Sequence, residues 1–284
     1  MQKRFKQWGA LALVAAMALG LAGCGGTDAK SLMEQAKKNM QDLKSMEANM
    51  IMTMDMSFMG QSMQMSVDAD MATVQSPMQL KMDMKASSMG ENMQMQVYAK
   101  ETDGKLTMYM NEGSGWQAGE ATKNELEEQL QQGNAQNYMN TFIEAATSYK
   151  SLGSETVNGK KTEKIECTIK SDAIGTALMA SGMEEQMNLE GADAETVAKM
   201  FEGVDDLVFT VWVDADAVQV VKMDMDMTQM MKQLMDNSLK QMGGEQAESL
   251  AGLITVNEMK FTITMDNING LSEIEIPQEA LDAA

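Results

Sequence analysis

Methionine recurs at every second position in several stretches of this sequence, and that spacing constrains the fold more than any other feature. It is seen in MIMTMDM (50–56), MQMSV (63–67), KMDMK (81–85), MQMQV (93–97) and KMDMDM (222–227). Successive side chains of a β-strand point to opposite faces, so each stretch would have one apolar and one polar face. The spacing therefore predicts strands of a sheet with one dry face.

Other strands can be placed around these stretches by the same pattern. Short turn signals separate the strand-like segments of residues 48–118, which makes neighbouring strands antiparallel and predicts a meander. Asn158-Gly159 predicts a β-hairpin. Two further strands are predicted at 207–213 and 218–227, and a long last strand at 253–268.

Helical spacing of apolar residues alternates with these strands along the chain. Helices are predicted at 28–44, at 172–202 with an interruption around Gly191, and at 229–242. A further helix is predicted after Gly133, with one apolar side, and Thr122 with Glu125 forms a capping-box pattern before it. That apolar side consists of Tyr138, Phe142, Ala146 and Tyr149. Together the elements predict an α+β fold, in which a strongly curved antiparallel β-sheet, a half-barrel, holds helices in its concave face.

The first 23 residues have the pattern of an export signal. Lys3, Arg4 and Lys6 form a basic head, and an apolar run follows from 10 to 21. This run is shorter than the roughly 20 residues that a bilayer-spanning helix needs. Residues 1–23 are therefore predicted to be a signal peptide.

Leu21-Ala22-Gly23-Cys24 resembles the bacterial lipobox, in which an apolar residue and two small residues precede a cysteine. The resemblance implies that Cys24 carries a diacylglycerol, that cleavage precedes it, and that palmitate-type acyl chains hold the protein on the extracytoplasmic face of the cell membrane. Residues 24–29 would then be a short tether and 30–284 a single domain. The alternative is an ordinary secretory signal with a chance cysteine.

Composition excludes several classes of function. A formal net charge of −20 repels nucleic acid, and the absence of histidine removes the commonest general base and metal ligand. The sequence contains no nucleotide-binding or hydrolase motif, so neither an enzyme nor a cofactor is predicted. Cys167 shares a parity with Ile165 and Ile169 and is predicted to be a buried small residue.

Paired aspartates at 68/70, 214/216 and 224/226 are predicted to lie on solvated faces and turns rather than in a calcium or acid-base site.

Three soft motifs resemble Met-rich Firmicutes lipoproteins of the LppX/LprG and LolA-like superfamily. They are YMNEGSGWQAG with Tyr109 and Trp116, VWVDADAVQVVKMDMDM, and NINGLSEIEIPQEA with its Ile-x-Ile-Pro ending. The resemblance covers about residues 30–280 and implies a half-barrel wrapped around helices. It also implies an apolar cavity, which in relatives holds lipid or acyl chains. This chain departs from those relatives in its methionine content.

Thirty-five methionines leave several interpretations open. Methionine can simply fill a core, or it can line a cavity that adapts to acyl chains of varied shape. Thioethers also select Cu(I) or Ag(I), and methionine can absorb oxidants in place of other residues.

The predicted function is that of a membrane-anchored lipoprotein that binds or carries a lipid, an acyl chain or another hydrophobic molecule. The alternatives are a non-catalytic envelope scaffold and a Cu(I)/Ag(I)-binding protein. The predicted cavity wall consists of Met50, Met52, Met54, Met63, Met65, Met82, Met84, Met93, Met95, Met223, Met225 and Phe261.

Overall fold

Eleven strands form one open antiparallel sheet in the computed structural model, which describes residues 28–41, 43–122, 135–181, 194–242 and 252–283. The order across the sheet is β6-β5-β4-β3-β2-β1-β11-β10-β9-β8-β7. The strands are β1 (Ser45–Phe58), β2 (Gln61–Gln75), β3 (Met78–Ser88), β4 (Glu91–Thr102), β5 (Lys105–Asn111), β6 (Trp116–Ala121), β7 (Ser148–Val157), β8 (Lys160–Ile169), β9 (Leu207–Asp214), β10 (Val220–Asp226) and β11 (Ile254–Asp266).

Strands β1 to β6 form the predicted meander, which is confirmed. Two-residue turns close its β1–β2, β3–β4 and β4–β5 hairpins, so the register between neighbouring strands is fixed from the turn outward. The predicted hairpin at Asn158-Gly159 joins β7 to β8.

The first and last strands of the chain pair at the centre of the sheet. β1 runs antiparallel to β11 from Glu47 opposite Asp266 to Phe58 opposite Ile254, with one bulge beside Asp55. This pairing joins the meander to the half of the sheet built from β7 to β11. All eleven strands therefore share two continuous faces.

The helices of the described residues pack mainly on one face of the sheet. Buried side chains of the first five helices form one apolar cluster with the inner side of β1 and β8–β11. The predicted α+β class, with helices on one face of a large antiparallel sheet, is confirmed. The helices are α1 (Ala29–Met40), α2 (Ala135–Ala145), α3 (Ser171–Ala180), α4 (Ala194–Met200), α5 (Thr228–Met242) and α6 (Gln278–Leu281).

The apolar row predicted for α2 is wrong at its end. Tyr138 and Phe142 are buried on the helix, but α2 ends at Ala145 and Tyr149 belongs to strand β7. The spacing of these residues fits a helix, yet the backbone from Ser148 pairs with β8, and that pairing overrides local helical preference. Glu125, Gly191 and the segments around them lie outside the described residues.

A second, smaller apolar cluster covers part of the other face of the meander. Its sheet residues are buried together with Ile274 and Ala280 from the C-terminal segment. The Ile274 backbone N–H donates to Gln79 Oε1 at 2.7 Å, which fixes this segment on the sheet. The sheet residues are Ala72, Val74, Tyr98 and Tyr109, with Trp116 and Ala118 against them.

Candidate ligand-binding face

All twelve residues of the predicted cavity wall lie on one face of the sheet. Residues directly opposite each other on antiparallel strands project to the same face. Met54 lies opposite Met65, Met84 opposite Met95, and Met225 opposite Phe261. The same register relates the other members. We call this surface the methionine face; it comprises Met50, Met52, Met54, Met63, Met65, Met82, Met84, Met93, Met95, Met223, Met225 and Phe261.

One part of the methionine face is packed core. Met223, Met225 and Phe261 are buried beneath the helices. Tyr138 of α2 meets the Phe261 ring edge-on, with 5.7 Å between ring centroids. Protein atoms surround these three side chains. Within the described residues they therefore pack against the helices and do not line an open cavity.

Another part of the face is open. Met50, Met52, Met54 and Met82 are half-buried and pack against the main core. Met63, Met84 and Met95 are also half-buried. Beyond these residues the helices no longer cover the face. Met65 is 41% exposed and Met93 is 64% exposed. Exposure along the methionine face therefore rises from the helix-covered half of the sheet toward the N-terminal ends of β2 and β4, where Met65 and Met93 lie.

Several residues of this face were not included in the predicted cavity wall. Met56 lies opposite Met63, Met71 opposite Met82, and Met110 opposite Val97. Their alternation with polar residues was the available signal. Once two-residue turns fix the register, every residue of that parity falls on the same face.

Outside the second apolar cluster the opposite face is polar, and it explains two of the three aspartate pairs. Asn49 Nδ2 donates to one carboxylate oxygen each of Asp68 and Asp70, at 2.8 and 2.9 Å. Asp214 accepts backbone N–H bonds from Asp216 and Ala217, which caps the β9–β10 turn. The prediction of solvated faces and turns is confirmed for these pairs. No group of three or more Cys, Asp or Glu side chains within the described ranges could hold a metal ion.

Trp212 also lies on the polar face, beneath two lysines. Lys222 Nζ lies 4.3 Å and Lys164 Nζ 4.9 Å from the centre of the Trp212 ring, and the indole Nε1 donates to Glu155 Oε2 at 3.0 Å. This hydrogen bond, together with Lys164, lowers the pKa of the Glu155 carboxyl. The indole is thereby held by cation–π contacts and a charged acceptor.

Two cavities lie away from the twelve residues. One, of about 410 Å³, lies between α3 and α4 and is lined by Gly175, Met179 and Phe201 among others. The other, of about 330 Å³, lies beside Asp70 and Lys81. The methionine face is thus an open surface rather than the wall of either cavity.

Cys167 is buried, as the sequence predicts, in the main apolar cluster that also contains side chains of α1. Desolvation raises the pKa of its thiol to about 12. Burial likewise raises the pKa of Tyr149 to about 12, and the Tyr149 hydroxyl donates to the Ala146 carbonyl while accepting from Lys37 Nζ at 2.8 Å. These groups are kept neutral by their surroundings and are structural.

Cys24, the predicted lipidation site, lies outside the described residues. Within the described part of the chain, every helix is too short or too polar to cross a bilayer.

The model of a family of unknown function, DUF6612, matches residues 28–284. The chain belongs to this family. No curated protein sequence matches it.

Solved structures match the fold at low sequence identity. The lipoprotein LppX of Mycobacterium tuberculosis is 14% identical, with 87% of this chain and 100% of that chain covered and a TM-score of 0.44. LprF of Mycobacterium bovis is 14% identical, with 89% and 97% covered and a TM-score of 0.47. A LolA superfamily protein from Nitrosomonas europaea is 9% identical, with 89% and 96% covered and a TM-score of 0.20.

Both groups that the sequence resembles, the LppX lipoproteins and the LolA superfamily, are thus among the matching structures. Because these TM-scores are below 0.5, the superpositions are too loose to transfer a ligand or a site.

Proposed function

We propose that this chain is a non-enzymatic, lipid-anchored extracytoplasmic lipoprotein that binds a lipid or an acyl chain on its methionine face. The observation that carries the proposal is the gradient of exposure along that face. The same apolar surface runs without interruption from buried Met223 to Met93, which is 64% exposed. An acyl chain laid on the open part would continue the packing that the helices provide on the covered part.

The open part has the chemistry that a hydrophobic ligand requires. Contiguous apolar surface is seldom left exposed on soluble proteins unless it binds something. Burial of such surface contributes about 25 cal/mol per Å², and the unbranched thioether side chain adapts to ligands of different shape. Hydrogen-bonding side chains are few on this face, so we expect selectivity for chain length and bulk rather than for a headgroup.

Attachment to the membrane is proposed through Cys24. The chain is strongly acidic, with 42 acidic and 22 basic side chains, and would be repelled by anionic headgroups. Acyl chains at Cys24 supply the affinity that charge does not.

Native mass spectrometry of the protein purified from its host membranes tests ligand binding. We expect a co-purifying lipid mass that is reduced in the double variant Met65→Gln, Met93→Gln. Ile51→Gln is the matched control, because Ile51 is 40% exposed on β1 but has the opposite parity from Met50 and Met52. Equal loss in both variants would contradict binding at the methionine face.

Two other outcomes support the alternatives. A clean protein mass with no lipid favours an envelope scaffold. Stoichiometric copper favours the metal-binding alternative, for which the opposed pairs Met54–Met65 and Met56–Met63 supply four thioethers on neighbouring strands.

A further inference from the structure

Four hairpins of the sheet share one turn geometry. Each has a two-residue turn in which both residues have positive φ and the second is glycine. At the first turn position φ is 52° for Met59, 50° for Met89, 52° for Asp103 and 48° for Asn158. These are type I′ turns, whose twist matches that of the strands they join.

The residue at the first turn position differs between the two ends of the sheet. Asn and Asp tolerate positive φ and are the usual choice there, and the turns at Asp103 and Asn158 follow that rule. Asn and Asp side chains can also hydrogen-bond to the nearby backbone, which a methionine side chain cannot do. Methionine nevertheless occupies the first turn position in both the β1–β2 and the β3–β4 turns. These two turns lie at one end of the sheet, which we call the tip end. The turns at Asp103 and Asn158 lie at the other end.

The methionines at the tip end project into solvent. Met59 is 65% exposed and Met89 is 74% exposed, and Phe58 beside Met59 is 40% exposed. Among the four residues of each turn, from Phe58 to Gln61 and from Ser88 to Glu91, Glu91 has the only charged side chain. Two strand spacings separate the turns, roughly 10 Å. The tip end thus presents two apolar points on an otherwise acidic chain.

The chain enters the fold from the direction of the tip end. Asn39, near the end of α1, donates its Nδ2 to the Val218 carbonyl at 3.0 Å, in the β9–β10 turn at the other end of the sheet. Gln136 at the start of α2 donates to the Met40 carbonyl at 3.1 Å, and α2 leads to β7, which begins at the tip end. Helix α1 therefore runs away from the tip end over about 18 Å, and Ala29 lies toward it.

We propose that Met59 and Met89 insert into the interface of the bilayer that carries the Cys24 anchor. The inference rests on the proposed lipid anchor. Cys24 precedes Ala29 by five residues, which span at most about 18 Å, so the anchor keeps the domain close to the bilayer and the direction of α1 turns the tip end toward it. The two turns, in which Glu91 is the one charged residue, are the apolar points that can approach a lipid surface, whereas the acidic remainder is repelled by anionic headgroups. Insertion would bring the open part of the methionine face beside the bilayer.

Lipid-borne quenchers test the insertion. The lipidated full chain, purified from membranes, carries Met59→Cys or Asp103→Cys, each labelled with bimane and reconstituted into phosphatidylcholine vesicles that contain doxyl lipids. The two positions have the same turn type and the same φ but lie at opposite ends of the sheet. Cys167 is fully buried and does not compete for label. We expect several-fold more quenching at position 59 than at position 103.

A second set of variants tests the contribution of the other tip. In the Met89→Cys chain, adding Met59→Asn keeps a favoured turn residue but removes one apolar point, and we expect less quenching at position 89. Adding Leu152→Asn instead removes an exposed apolar residue from the edge strand β7, and we expect no change.

Three results would overturn the insertion. Equal quenching at positions 59 and 103 in protein that floats with the vesicles would contradict the orientation and leave the anchor intact. Protection of position 59 from an aqueous quencher without quenching by doxyl lipids would mean that protein, including a second copy of this chain, covers the tips. Protein that does not float with vesicles would contradict the lipid anchor as well.

Discussion

Met54 and Met65 lie directly opposite each other on β1 and β2, yet they have different surroundings. Met54 packs against the main apolar core, whereas Met65 is 41% exposed. The margin of the helix-covered surface therefore runs between two side chains whose Cβ atoms are about 5 Å apart. On one side of that margin methionine serves packing, and on the other side it is available to a ligand.

Substitution on the two sides of the margin should separate stability from binding. We expect Met225→Ala to lower the free energy of unfolding by about 2–5 kcal/mol, because Met225 is buried and the substitution leaves a cavity. Met93→Ala should change it by no more than about 0.5 kcal/mol, since Met93 is largely exposed. Urea unfolding followed by circular dichroism measures both values. Similar losses for the two variants would show that the open part is packed as well.

Replacing a methionine at the first position of a two-residue turn should increase stability. We expect Met89→Asn to raise the free energy of unfolding by about 0.5–1 kcal/mol, because Asn adopts positive φ more readily than Met. Asp103→Met, at the same turn position, should lower it by a similar amount. Thermal unfolding of both variants measures the effect, and a loss of stability in Met89→Asn would contradict it.

Stability should fall in alkaline solution. Burial raises the pKa of Cys167 and of Tyr149 to about 12 in the folded state, above their ordinary values of 9.0 and 10.0. The folded state then keeps protons that the unfolded state releases. Because of these two groups, the free energy of unfolding falls as pH rises from about 9 to about 12. Lys37, whose pKa is lowered by burial, contributes with the opposite sign.

Urea unfolding between pH 8 and pH 11 measures this dependence. We expect Cys167→Ala to have a shallower slope against pH than the unsubstituted chain, whatever its absolute stability. An unchanged slope would mean that the thiol ionises as readily in the folded state as in the unfolded state.

The anchor has a direct chemical test. We expect Cys24→Ala to lose all incorporation of an alkyne-palmitate label in the host and to be released from the membrane fraction. Cys167→Ala is the control and should retain both the label and the membrane association, because the Cys167 thiol is buried. Label retained by Cys24→Ala would disprove lipidation at that residue.

Much of the sheet could be predicted from the sequence because its turns are local. Two-residue turns such as Asn158-Gly159 fix the register, and alternation then assigns each side chain to a face. The twelve residues predicted as a cavity wall share one face for this reason, whereas their role in ligand binding stays a prediction. Tyr149 was placed on a helix because its spacing from Phe142 fits one, whereas long-range pairing with β8 decides its conformation.

The open and covered parts of the methionine face could not be distinguished from the sequence. Met93 and Met223 both alternate with polar residues along their strands. Only Met223 lies beneath helices that are distant in the chain. The C-terminal segment poses the same difficulty, since Ile274 packs on Tyr98 and Tyr109 across more than half of the chain. Such burial depends on tertiary packing and leaves no local pattern.

The pairing of β1 with β11 also governs when the protein can acquire its structure. Glu47 lies opposite Asp266, so the central ladder of the sheet closes only after nearly the whole polypeptide has emerged. Contacts between residues so distant in sequence slow folding, because loop closure precedes any stabilisation. If the chain is exported as proposed, the central ladder can form only after translocation, so the sheet would be completed on the outer side of the membrane.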